Sequence, residues 1–119
     1  MQHDVRGYLW HVLDAADDIE RFLTGVDEAA YADSALVHSA VERKFEIIGE
    51  AMNQLSKTAP DLARRVPHLH EIVAFRNRLI HGYANVDRNR VYQIARSALP
   101  ELKLEVRRLM AEIDPDAGP

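Results

Sequence analysis

Apolar side chains recur at steps of three and four along almost all of this 119-residue chain, and that spacing is buried by α-helices, not by strands. Val5, Leu9, Val12, Ala16, Ile19 and Leu23 line one face of a first helix, which Gly25 is placed to end. Asp33 or Ser34 can cap a second helix. Its face carries Val37, Val41, Phe45, Ile48, Met52 and Leu55, and Leu36, Ala40, Ile47 and Ala51 widen it. A stripe so broad predicts contact on two sides, with the chain's own core and with another chain. Residues 57–67 read as a loop with one short helical turn at most. Pro67 suits the first position of a third helix, with Leu69, Ile72, Val73, Leu79 and Ile80 inward and Gly82 as its stop. Asp87 can cap a fourth, on the stripe Val91, Ala95, Ala98, Leu102, Val106, Leu109 and Ile113. Pro100 falls inside this stripe, so a kink is expected there rather than an end. The expectation is an all-α antiparallel bundle of four main helices, one domain over residues 1–113, with 114–119 a frayed tail.

The absence of cysteine rules out disulfides and thiolate zinc sites. No basic stretch leads into an apolar run at the start, and no segment approaches the ~20 apolar residues that span a bilayer. A soluble, cytoplasmic protein is expected. The net charge of −4 argues against bulk nucleic-acid binding, but it is unevenly spread. Residues 1–63 carry −7, residues 64–90 carry +4 and the remainder −1. The basic segment also holds His68, His70 and His81, and it reads either as a solvated face or as a local phosphate-binding strip.

That segment contains Phe75-Arg76-Asn77-Arg78-Leu79-Ile80-His81-Gly82-Tyr83. Asn77 and His81 are four apart and share a helix face. Gly82 lets the backbone turn, so the imidazole can leave the helix surface. These residue types suit cleavage of a phosphodiester in RNA, which carries its own nucleophile in the 2′-hydroxyl. His81 can act as general acid or base near neutral pH. Arg76 can grip two phosphate oxygens with its planar fork. Asn77 can orient the imidazole or donate to the phosphate, and Arg78 can extend the grip along the strand. Two copies on a two-fold axis would put two histidines and two arginines in one cleft, giving both an acid and a base. A structural reading stands beside this one, with Arg76 paired to Glu46 or Glu50 and His81 closing the helix end.

The run Arg-Asn-x-x-x-His-x-Tyr, filled by Arg76 through Tyr83, resembles the signature of HepT toxins in the HEPN superfamily. Val41 through Ala51 resembles that family's second helix, and Leu99-Pro100-Glu101-Leu102 resembles part of its last. The likeness spans most of residues 4–113. It implies a helical-bundle homodimer with metal-independent ribonuclease activity, needing no cofactor and encoded beside a minimal nucleotidyltransferase antitoxin. It implies that Arg76 and His81 are the catalytic pair. It also implies that Tyr83 receives AMP from the partner, which would block the cleft and repel RNA phosphates. A tRNA is the substrate that the likeness favours, with mRNA open. The alternative is a non-catalytic HEPN module that binds nucleotide or braces a nucleotidyltransferase complex.

Other candidates have simpler readings. Glu46 and Glu50 lie one turn apart, suited to solvent, to salt bridges or to positioning Arg76. His68 and His70 either border the cleft or lie in solvent, and a zinc site is disfavoured because Ala74 stands where a zincin helix needs its second histidine. His3, His11 and His38 have no evident partners. Arg88 and Arg90, at the start of the last helix, can meet RNA, an acidic partner or solvent.

Overall fold

A computed structural model describes residues 2–81 and 87–113, with side chains from residue 4. Gly82, Tyr83 and the tail 114–119 lie outside the described residues. Among the described residues six helices follow one another: α1 (Gln2–Phe22), α2 (Glu28–Asp33), α3 (Ala35–Thr58), α4 (Pro60–Ala63), α5 (Leu69–Ile80) and α6 (Arg88–Ile113). The four long ones are those that the apolar spacing implies, and the described residues form an all-α bundle.

The helix ends have local causes. Gly25 takes a left-handed φ of 74° just past α1, a backbone that costs a glycine nothing. Ser34 caps α3, its Oγ accepting from the Val37 amide at 3.2 Å. Asp87 caps α6, its Oδ1 accepting from the amides of Asn89 and Arg90 at 3.0 and 3.3 Å. Two short helices add to the expected four. Asp27 caps α2 through the Ala30 amide at 2.8 Å, and α2 buries Tyr31 completely. Pro60 opens α4. Pro67 is not the first residue of α5, because His68 takes a left-handed φ of 63° and separates the proline from the helix. α6 runs through Pro100, which is exposed.

α3 is the central helix. It packs on α1 along one side and on α5 along another, while α6 covers α1 and α2. Much of the broad stripe of α3 is used within the chain: Phe45 meets Phe75 of α5 edge-on with centroids 5.5 Å apart, and Val41, Ile48, Met52 and Leu55 are buried in the same core as the α1 stripe, whereas Leu36 is exposed. Polar clasps fix the outer helices. Lys103 Nζ reaches Asp17 and Glu20 on α1 at 2.6 Å each, and Arg96 donates to the carbonyls of Leu23 and Val26 at 2.8 Å. In the corner between α2, α3 and α6, burial pushes the Tyr31 phenol and the Glu42 carboxyl above their usual ranges. No helix among the described residues is long and apolar enough to cross a membrane.

α3 and α5 approach closely at Gly49. A Cβ built there would run into Arg76 Cβ and come within 2.8 Å of Arg76 Cγ and 3.3 Å of the Ile72 carbonyl oxygen. Helix propensity alone favours alanine over glycine by ~0.5–1 kcal/mol. The clash overrides it, so Gly49→Ala is expected to lose ~1–3 kcal/mol of stability, measured as a lower urea midpoint. A midpoint at or above that of the parent would refute the close packing.

Candidate functional site

The approach at Gly49 leaves a cleft beside it. α3 supplies Arg43, Glu46, Ile47 and Glu50, which lie on one helical stripe. α5 supplies Arg76 and Ile80, four residues apart, and α1 supplies His11. The cleft measures about 290 Å³. Since α1 and α5 both pack on α3, His11 and Arg76 enter it from separate helices.

Arg76 is half-buried and held from two directions. Its Nη2 donates to Glu50 Oε2, and its Nη1 donates to Asn77 Oδ1 at 2.9 Å. Its Nε is buried and has no hydrogen-bond partner among the described residues. Of the two candidate carboxylates on α3, Glu50 is therefore the one that meets Arg76. Glu46 turns to Arg43, whose Nη1 lies 3.3 Å away. Asn77, expected to serve the imidazole or a phosphate, places its side-chain oxygen on the neighbouring guanidinium.

His81 is the C-terminal cap of α5. Its backbone N–H donates to the carbonyls of Asn77 and Leu79, and its side chain is exposed. It directly follows Ile80, which lines the cleft and is half-exposed. Arg76 lines the cleft, and His81 is not among its lining side chains.

The basic segment is less open than its linear charge suggests. Arg64 pairs with Asp61, Arg65 with Glu105 and Glu112, Arg76 with Glu50 and Arg90 with Glu71. Arg78, in the last turn of α5, and Arg88, the first residue of α6, are exposed and have no ion-pair partner among the described residues. His68 meets Glu101 at 3.0 Å, and His70 lies in a second hollow of about 160 Å³ with Ser56, Pro60 and Arg64, so neither borders the cleft. Among the described residues no group of three or more histidines and carboxylates could hold a metal ion. His11 is the site residue that the sequence reading passed over. It stands next to the buried stripe of α1, seven residues before Asp18, which reaches Lys44 of α3 at 2.8 Å. That register carries His11 toward residues 47–50.

A family model described as "Ribonuclease HepT-like" matches residues 12–109. The chain belongs to this family. It is 30% identical over 115 residues to "Putative RNase MJ1216" of Methanocaldococcus jannaschii, covering 95% of this chain and 93% of that one. It is 28% identical over 109 residues to "Probable ribonuclease HepT" of Thermococcus cleftensis, covering 92% and 98%. No solved structure matches it. The match to the HepT-like family takes in every cleft residue except His11, which falls one position before the matched stretch.

In this HepT-like chain the Arg76–Glu50 pair is open to solvent on the carboxylate side, with the Glu50 side chain 46% exposed. Such pairs contribute roughly 0–1 kcal/mol to stability. Glu50→Gln is thus expected to shift the unfolding free energy by less than about 1 kcal/mol. A larger loss would make the pair a structural brace rather than a part of the site.

Proposed function

We propose that this protein is a metal-independent endoribonuclease and the toxin half of a toxin–antitoxin pair. The observation that carries the reading is the Arg76–His81 motif, which lies inside the stretch matched by the ribonuclease HepT-like family, with the Arg76 side chain lining a cleft. The names of the two relatives agree with ribonuclease chemistry.

RNA needs no external nucleophile. The ribose 2′-oxygen attacks phosphorus, the bond from phosphorus to the 5′-oxygen breaks, and a 2′,3′-cyclic phosphate and a 5′-hydroxyl result. Arg76 neutralises charge on the phosphorane oxygens, exchanging Glu50 for phosphate while Asn77 keeps the fork in place. His81 transfers a proton to or from the reacting oxygens. Arg78 and Arg88 hold flanking phosphates. A homodimer would bring a second Arg76 and His81 to the same groove, and the half-exposed Ile80 beside His81 suits such a contact. Tyr83, two residues beyond His81, is the site at which a nucleotidyltransferase antitoxin would attach AMP and close the groove by bulk and charge.

The partner-free protein is expected to cleave RNA, with tRNA the first substrate to try, in the presence of EDTA. His81→Ala should lower kcat by ~10²–10⁴-fold and Arg76→Ala by ~10²–10³-fold. Cleavage by His81→Ala at the parental rate would overturn the assignment. Co-expression with the antitoxin should raise the mass of the Tyr83 peptide by about 329 Da per adenylyl group. An unchanged peptide would remove that mode of silencing.

A further inference from the structure

The cleft contains one imidazole that the motif does not account for. His11 projects into it from α1, opposite the helix that carries Arg76. The other ionisable side chains of the cleft are paired off: Arg76 with Glu50, and Arg43 with Glu46. His11 alone among them has no ionic or hydrogen-bonded partner among the described residues. Its ring meets the ring of Trp10 edge-on, at 5.4 Å between centroids and 74° between planes. An edge contact of this kind steadies the imidazole without occupying its nitrogens. The carboxylates of Glu50 and Glu46 are thus occupied by guanidinium groups. An exposed imidazole with both nitrogens open keeps an unoccupied lone pair, which a general base requires.

Resting on the ribonuclease reading above, we propose that His11 is the general base of this cleft, a catalytic residue that the Arg76–His81 motif leaves out. His11 accepts the proton of the ribose 2′-hydroxyl as the 2′-oxygen bonds to phosphorus. Arg76 holds the non-bridging oxygens. The bond from phosphorus to the 5′-oxygen breaks, and the His81 imidazolium gives its proton to that oxygen. One proton is taken and one returned, so the pair ends with the protonation states exchanged and solvent resets it. The cleft thereby has its own base within a single chain.

The two roles separate on substrates that differ only at the leaving atom. A 5′-bridging sulfur leaves as a thiolate and needs no acid. On an ordinary oligoribonucleotide, His11→Ala, His11→Gln and His81→Ala are each expected to lose ~10²–10⁴-fold in kcat. On the 5′-thio substrate His81→Ala should recover, while both His11 variants stay low. The His11 variants should also lose the acid limb of the kcat/KM profile, a change that a packing role would not produce. His70→Ala, in the other hollow, should behave as the parent. A 2′-O-methyl oligoribonucleotide, which cannot be cut, should move the NMR signals of the His11 ring in the parent protein. Parental rates from His11→Gln, recovery of the His11 variants on the sulfur substrate, or unmoved ring signals would each overturn the proposal. If the parent cuts neither substrate, it is the ribonuclease reading that falls, and His11 falls with it. If the parent cuts and His11→Gln cuts equally well, His11 alone is ruled out.

Discussion

Arg76 can stand at the edge of a cleft only because α5 lies against α3 with no side chain between them at residue 49. The backbone of Gly49 supplies the floor on which the Arg76 stem rests, and the next residue, Glu50, supplies the carboxylate that receives its head. Helical geometry does the remainder. Arg43, Glu46, Ile47 and Glu50 lie along one side of α3, and Arg76 and Ile80 along one side of α5, so a single close contact sets the position of both rows. Moving the helices apart by the width of a methyl group would displace every one of these side chains together.

The electrostatics of the arrangement favour exchange over permanence. An ion pair as exposed as Arg76–Glu50 contributes little to stability, so a phosphate can replace the carboxylate at small cost. Asn77 is bonded to the other terminal nitrogen and keeps the fork oriented while that happens. The third nitrogen of the fork, Nε, is buried and has no hydrogen-bond partner among the described residues, so the two terminal nitrogens carry its polar contacts.

Much of this was legible in the sequence, and the missing parts have identifiable causes. Periodicity placed the long helices because each buries a continuous face, and Ser34 and Asp87 act as caps because a short side-chain oxygen there reaches free amides. α2 escaped notice because six residues are too few to show a period, although Asp27 supplied a capping signal. The start of α5 was misplaced because proline is permissive at a first turn, and nothing in the sequence announces the left-handed turn at His68. α5 takes up one side of the broad α3 stripe within the chain, while Leu36, near its start, stays exposed. Arg76 and a glutamate on α3 were paired correctly as alternatives, but one-turn spacing could not choose between Glu46 and Glu50. His11 was invisible for a stronger reason. Spacing along one helix says which residues share a face, but only tertiary packing says which other helix that face meets.

The charge pattern shows the same gap between line and space, and it bears on how such a protein would read RNA. A segment with an excess of four positive charges looks like a strip for the phosphate backbone. In the folded chain, four of its six arginines are engaged by carboxylates, two of those partners standing on α6. The two without ion-pair partners, Arg78 and Arg88, lie at the end of α5 and the start of α6, on either side of His81 in the chain. These two exposed positive charges thus flank the motif along the chain. Each phosphate contact on a single strand adds about −0.7 to the slope of log affinity against log salt, and few contacts mean a shallow slope and modest non-specific affinity. On the proposed ribonuclease reading, such a surface would hold only a short stretch of RNA. The shape of that stretch, rather than the length of backbone available, would then govern what is cut.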